Sequence, residues 1–187
     1  MSRPRLILAS GSPQRRAILE QLGVPFQVAV SGVSELDAGP PEEVVLENAY
    51  RKARAVAGPG GAELPVLGVD TEVALGGTVL GQPAGAAGAR EMLGRLSGRA
   101  HRVLSGVCVI EGERVRTAAA ATTVRFRSCP PELLDWYVAT GEWAGRAGGY
   151  AIQCRGVALI EGIEGDYSNV VGLPVPTLLD LLGDLLQ

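Results

Sequence analysis

The chain has 187 residues, 47% apolar and 20% charged, with no block of like charge. It has enough apolar material for one well-covered core and little cause for disorder. A net charge of -3 does not imply a broad nucleic-acid-binding face and admits a small anionic ligand only over a local cluster of cations.

Taken in chain order, Arg5 to Ala9 is a short apolar run that reads as a buried strand rather than as a signal-peptide core. Ser10-Gly11-Ser12-Pro13 follows, with Ser12 as N-cap and Pro13 at the first helical position. That helix runs to about Leu22, with Ile18, Leu19 and Leu22 on its apolar face, and Gly23 ends it. Phe26 to Val30 reads as a second strand. Pro40-Pro41-Glu42-Glu43 opens a second helix, acidic in its first turn as the dipole prefers, which continues to about Ala57.

Val66 to Val69 reads as a buried strand delivering Asp70 and Thr71 at its end, followed by a hairpin over Glu72 to Leu75, Gly76-Gly77 and Thr78 to Leu80. Pro83 to Leu96 is expected to be helical. His101 to Ile110 and Val115 to Arg127 read as two long strands, and Glu132 to Ala139 as a helix started by Pro130-Pro131. Tyr150 to Gln153 and Val157 to Ile160 read as short strands, and a last helix covers about Pro176 to Leu186. Early alternation of strands and helices followed by hairpins predicts one domain over residues 1–187, α/β or α+β, with a mixed sheet. The apolar runs are broken by Gly, Pro or charge before they reach membrane-spanning length. Cys108, Cys129 and Cys154 show neither metal spacing nor a disulfide framework, which points to a reducing cytoplasm.

Four segments carry candidate chemistry. Ser10 to Arg16 places small residues, hydroxyls, Gln14 and two guanidiniums between a strand and a helix N-terminus, a ready anion site; the same pattern fits an ordinary cap with solvated arginines. It is not a Walker A loop, because the Gly-Lys-Ser/Thr ending is missing. Asn48 and Lys52 are four apart and share a helix face, either cleft-facing or solvated. Lys52 is the lone lysine among 17 basic residues, so a compact ammonium is required there or one lysine has survived by chance. Asp70 is placed to hold a metal or take a proton from water, or to form a turn; Glu35 is either a second carboxylate or, the better fit to its loop setting, a surface acid. Glu142 to Gln153 surrounds an aromatic and a Gln with glycines, which suits a flat hydrogen-bonding ligand or a turn into a strand. His101 and the cysteines form no recognisable triad.

Together and in order, LILASGSPQRRAILEQLG, ENAYRKA, VLGVDTEVALGGTVLGQP, MLGRLSGRAHRV, GEWAGRAGGYAIQ and GDYSNVVGLP resemble the Maf family of nucleoside triphosphate pyrophosphatases over nearly the whole chain. The resemblance implies a curved mixed sheet flanked by helices, two lobes around a deep cleft, and a homodimer. It also implies cleavage between the α- and β-phosphates with Mg²⁺ or Mn²⁺. Ser10 and Arg15 match the family's phosphate-binding turn, Glu35 an acidic position near the metal, Lys52 the family lysine, and Asp70 the proton acceptor and metal neighbour. Thr71 and Gln153 match positions that select the base in the dTTP/UTP branch, as against the 7-methyl-GTP branch. Two positions depart from the family. Gln14 replaces the first Arg of Ser-Pro-Arg-Arg, a position that also bears on base preference. Gln82 replaces the Lys of Leu-Gly-Lys-Pro, removing a cation over the phosphates whose load falls to Arg16, to Arg146 or to the metal. The rival implications are a nucleotide-binding regulator of cell division with little turnover, and a pyrophosphatase acting on 7-methyl-GTP or other non-standard nucleotides.

Overall fold

The computed structural model describes residues 3–186. A βαβ start sets the frame. Strand β1 (Leu6–Leu8) leads into helix α1 (Pro13–Gln21), which returns to β2 (Phe26–Val28) parallel to β1. Helix α2 (Pro41–Ala57) then crosses over to β3 (Val66–Leu75), which pairs in parallel with the other edge of β1. From there the sheet is antiparallel. A short β4 (Thr78–Val79) folds back on the end of β3, and β5 (Ala100–Glu111), β6 (Arg114–Phe126) and β7 (Ile160–Glu164) continue outward. The order is β2-β1-β3-β5-β6-β7, with β4 attached to β3. The result is a mixed sheet flanked by helices, the expected class. Among the described residues no helix is long and apolar enough to cross a membrane.

Two apolar clusters lie along one face of β3 and β5, and the cleft opens between them. One gathers Leu67, Val69, Val107 and Val109 under α1 and α6 (Val175–Leu181). The other gathers Val73, Val103, Val124 and Phe126 with residues of α3 (Ala86–Leu96) and α4 (Pro131–Ala139). Strand alternation would continue the apolar row through position 71, but Thr71 stands there, opposite Ser105 in register. This polar pair is where the core divides into two lobes.

On the opposite face α2 lies almost directly on the sheet. A Cβ at Gly68 would lie 2.1 Å from the Ala49 carbonyl oxygen, and one at Gly106 2.1 Å from that of Val45. Both positions require glycine for backbone proximity. The small side chains of Ala49 and Ala53 complete the contact, with no exposure to solvent.

Several expected elements differ. Asp70 and Thr71 do not end a strand: β3 runs unbroken to Leu75, because β5 pairs with it from Val66 through Ala74. The second strand stops at Val28, and the third helix begins at Ala86 rather than Pro83. Tyr150 to Gln153 is not a strand, and Arg155–Leu159 is a 3-10 helix followed by β7, which the apolar pattern had not indicated. The last helix is shorter than expected, and a short α5 (Tyr167–Val171) precedes it, capped by Asp166 accepting from the Ser168 amide at 2.7 Å.

Candidate active site

The site forms at a gap along one edge of β3. On that edge β1 pairs with Val66 and Leu67, and β4 pairs with Ala74 and Leu75. Residues 68–73 have no partner strand there among the described residues, and a cleft of about 570 Å³ wraps around the open edge. A volume of this size suits a nucleotide-sized ligand. Three carboxylates, Glu35, Asp70 and Glu72, and three cations, Arg15, Lys52 and Arg146, line it.

The centre is a buried charge cluster on the α2 face. Asp70 is 3% exposed. Its Oδ1 accepts from Lys52 Nζ at 2.6 Å and its Oδ2 from Asn48 Nδ2 at 3.0 Å. The Lys52 ammonium also pairs with Glu35 Oε1 at 2.7 Å. Asn48 in turn holds the loop carrying Glu35: its Oδ1 accepts from the Leu36 amide at 2.7 Å and its Nδ2 donates to the Leu36 carbonyl at 3.0 Å. The one-turn spacing of Asn48 and Lys52 places both opposite Asp70, and the Gly68 and Gly106 contacts bring the helix within reach. A compact ammonium between two carboxylates suits Lys better than the planar guanidinium used elsewhere in the chain.

The second group lies around Arg15, which is itself buried. Its Nε donates to the Gly172 carbonyl at 2.9 Å, Nη1 to Ser10 Oγ at 2.9 Å and Nη2 to Thr71 Oγ1 at 3.2 Å. Burial pulls Arg15 below the usual arginine range, while the charges of Asp70 and Glu35 act in the opposite sense. Gly172 ends α5, so the GDYSNVVGLP segment serves to orient this guanidinium. Ser12 occupies the N-cap position of α1 but does not cap through its side chain. Its hydroxyl donates to Gln14 Oε1 at 3.1 Å, and its amide to Ser10 Oγ at 3.2 Å.

Of the residues singled out in the sequence, Ser10, Gln14, Arg15, Glu35, Lys52, Asp70, Thr71, Gln82 and Gln153 all line this cleft. Arg16 does not: it is exposed on α1, outside the lining. His101 lies in the core, with Nε2 2.8 Å from the Tyr150 hydroxyl, and burial pushes it down to about 4. Burial pushes the Cys108 thiol up to about 12, so neither group forms an activated nucleophile.

The residue that sequence reasoning passed over is Glu72. It follows Asp70 by two along β3 and so shares its face. Its Oε2 is buried without a hydrogen-bond partner, and its carboxyl is pushed up to about 7. Desolvation is the largest cause, followed by the charges of Asp70 and Glu35, with Lys52 opposing. The available signal was an acid at the position where alternation along β3 demands the same face as Asp70.

Among the described residues no three His, Cys, Asp or Glu side chains are grouped to hold a metal ion by themselves. The donor set nevertheless fits a hard divalent cation shared with a substrate. Such ions are bound through one or two carboxylates and complete their shells with phosphate oxygens. Glu35 and Asp70 already converge on one cation, the Lys52 ammonium, and the unpartnered Glu72 oxygen marks an excess of negative charge beside them.

A family model described as Maf-like protein matches residues 5–185. A dTTP/UTP pyrophosphatase of Symbiobacterium thermophilum is 50% identical over 182 residues, 95% of this chain and 92% of that protein. Another dTTP/UTP pyrophosphatase, of Gloeobacter violaceus, is 48% identical over 182 residues, 96% of this chain and 95% of that protein. Among solved structures, a HAM1 protein from Coxiella burnetii aligns with a TM-score of 0.53 at 14% identity, over 97% of this chain and 100% of that one, a likeness of fold.

Proposed function

Because the chain belongs to the Maf family, we propose that it is a nucleoside triphosphate pyrophosphatase that hydrolyses dTTP and UTP to the monophosphate and diphosphate. The observation that carries this reading is the Lys52 ammonium held between Asp70 and Glu35 in the cleft that Arg15 and Ser10 also line.

A triphosphate near neutral pH brings about three to four negative charges, which an acidic protein can accept only through local cations. Ser10, Arg15 and the amides at the start of α1 cradle the phosphates. Lys52 neutralises charge next to the scissile anhydride. Asp70, its orientation fixed by Lys52 and Asn48, takes the proton of an attacking water as the new P–O bond forms at one phosphorus and the α–β bridge opens. Glu35 and Asp70 would hold a divalent cation, Mg²⁺ or Mn²⁺, which supplies charge neutralisation and Lewis-acid polarisation of the phosphates. Such catalysis is mostly positioning and charge stabilisation. Thr71, Gln153 and Gln14 act on the base side, and Gln82 lines the cleft where the resemblance implies a cation over the phosphates. The homodimer implied by the resemblance and the cytoplasmic location indicated by the cysteines belong to the same reading.

A panel of nucleoside triphosphates, including dTTP, UTP, CTP, GTP and 7-methyl-GTP, tests it through diphosphate release with each metal. dTTP and UTP are expected to turn over fastest. Preference for a purine would reject the substrate assignment, and binding without release from any member would replace the enzyme with a regulator.

A further inference from the structure

Two of the three cations lining the cleft already have partners within the protein, which leaves them only part of their donor capacity for a ligand. Every nitrogen of the Arg15 guanidinium donates a hydrogen bond within the protein, and Lys52 is shared by two carboxylates. Arg146 differs. Among the described residues its guanidinium has no ion pair and no hydrogen bond, and its Nε is buried without a partner. A buried donor of this kind carries a desolvation penalty that a ligand can relieve.

The backbone under Arg146 is firmly set. The Arg146 amide donates to the Trp143 carbonyl at 3.2 Å, and its own carbonyl accepts from Gly149 at 3.0 Å. The Gly148 amide bonds the Leu80 carbonyl at 3.0 Å and that of Gly81 at 3.2 Å, clipping this loop to the turn that carries Gln82. Gly148 has φ +71, and a Cβ there would lie 2.8 Å from Val73 Cγ2, so the loop rests against β3 at van der Waals distance. Gln82, on the adjoining wall, is neutral and brings no charge of its own.

We propose that Arg146 is the cation that takes the triphosphate chain, completing a phosphate-binding set in which Arg15 and Lys52 are largely engaged within the protein. The proposal rests on the nucleotide reading above and adds a specificity residue to it: Arg146 distinguishes a triphosphate from a monophosphate. A guanidinium offers two parallel N–H donors to phosphate oxygens, and such charge-assisted bonds are about twice as strong as neutral ones.

Isothermal titration with Mg²⁺ tests this, using the non-hydrolysable α,β-imido analogue of UTP alongside UMP. Wild-type protein is expected to bind the triphosphate analogue more tightly than UMP. Arg146→Gln should weaken the analogue by roughly 10- to 100-fold and UMP by no more than about threefold, and Arg146→Lys should recover part of the loss. Arg146→Met, which keeps the aliphatic stem, stands in if the Gln variant fails to fold. Equal losses for analogue and UMP, or no loss for either, overturn the assignment. Failure of the wild-type protein to bind the analogue overturns the nucleotide reading itself, and this proposal with it.

Discussion

Replacing Asp70 by Asn separates the chemical from the structural part of its role. Asp70 accepts from Lys52 Nζ on one oxygen and from Asn48 Nδ2 on the other. Asn can satisfy only one of these donors, and its own amide must face the other. Rotating Asn48 to compensate would break both of its bonds to Leu36. The variant therefore leaves one buried donor unmet, at a cost of about 1–3 kcal/mol. For a chain of this size that lowers the melting temperature by roughly 2–12 °C. The kinetic effect is much larger. Loss of a general base or metal ligand should cut kcat by roughly two to four orders of magnitude. Nucleotide should still bind, because Asn removes a negative charge from a site built for a polyanion; at about 6 Å and an effective dielectric of about 20, one charge is felt at about 3 kcal/mol. Thermal unfolding, titration with the imido analogue and diphosphate release read the three effects separately. Turnover within about tenfold of wild type, with the melting temperature lowered as described, would leave Asp70 a structural acid and refute its proposed role.

Lys52→Arg should lower kcat/KM at least roughly tenfold, since the larger planar group cannot occupy the point 2.6 and 2.7 Å from the two carboxylates; unchanged steady-state kinetics would make the lone lysine an accident of composition. Glu72→Gln should change how stability depends on pH. The folded-state pKa is raised to about 7, so Glu72's contribution is full below the unfolded value near 4.5 and is lost as pH rises through 7. With allowance for partial exposure, Glu72→Gln should therefore gain roughly 1–3 kcal/mol over wild type between pH 4.5 and 8 in urea unfolding, and parallel curves would contradict the raised pKa. Gly106→Ala must push α2 back by roughly 1 Å from a 2.1 Å approach. That should lower stability by about 1–3 kcal/mol and disturb activity through the Lys52–Asp70 contact. Calorimetry with an undiminished melting temperature would show that the helix does not rest on the sheet as described.

The parts of this fold that could be read from the sequence were those in which one local rule acts alone. The apolar face of α1, the Pro starts at Pro13 and Pro41, and the long β5–β6 hairpin each follow from short-range periodicity or capping. Positions Ser10, Arg15, Lys52 and Asp70 share one cleft, although 60 residues of chain separate the ends of this set. What failed depended on partners distant in sequence. Asp70 and Thr71 interrupt the apolar run and so mimic a strand end, but β5 keeps them in the ladder, and the gap that exposes them comes from β1 and β4 pairing with only the two ends of β3. Tyr150 and Ile152 are apolar because they belong to the second core cluster, not because they pair in the sheet. Arg16 carries the same charge as its neighbour Arg15, but one step along α1 turns it out to solvent. Glu72 was missed because its significance depends on the continuity of β3 past Asp70.

The products that leave the cleft when UTP enters it decide the assignment. Incubated with UTP and Mn²⁺ and resolved by anion-exchange chromatography, the protein should yield UMP and diphosphate in equal amounts, at a rate that Asp70→Asn lowers by roughly two to four orders of magnitude. UDP with inorganic phosphate, or no product above the protein-free control, would contradict it.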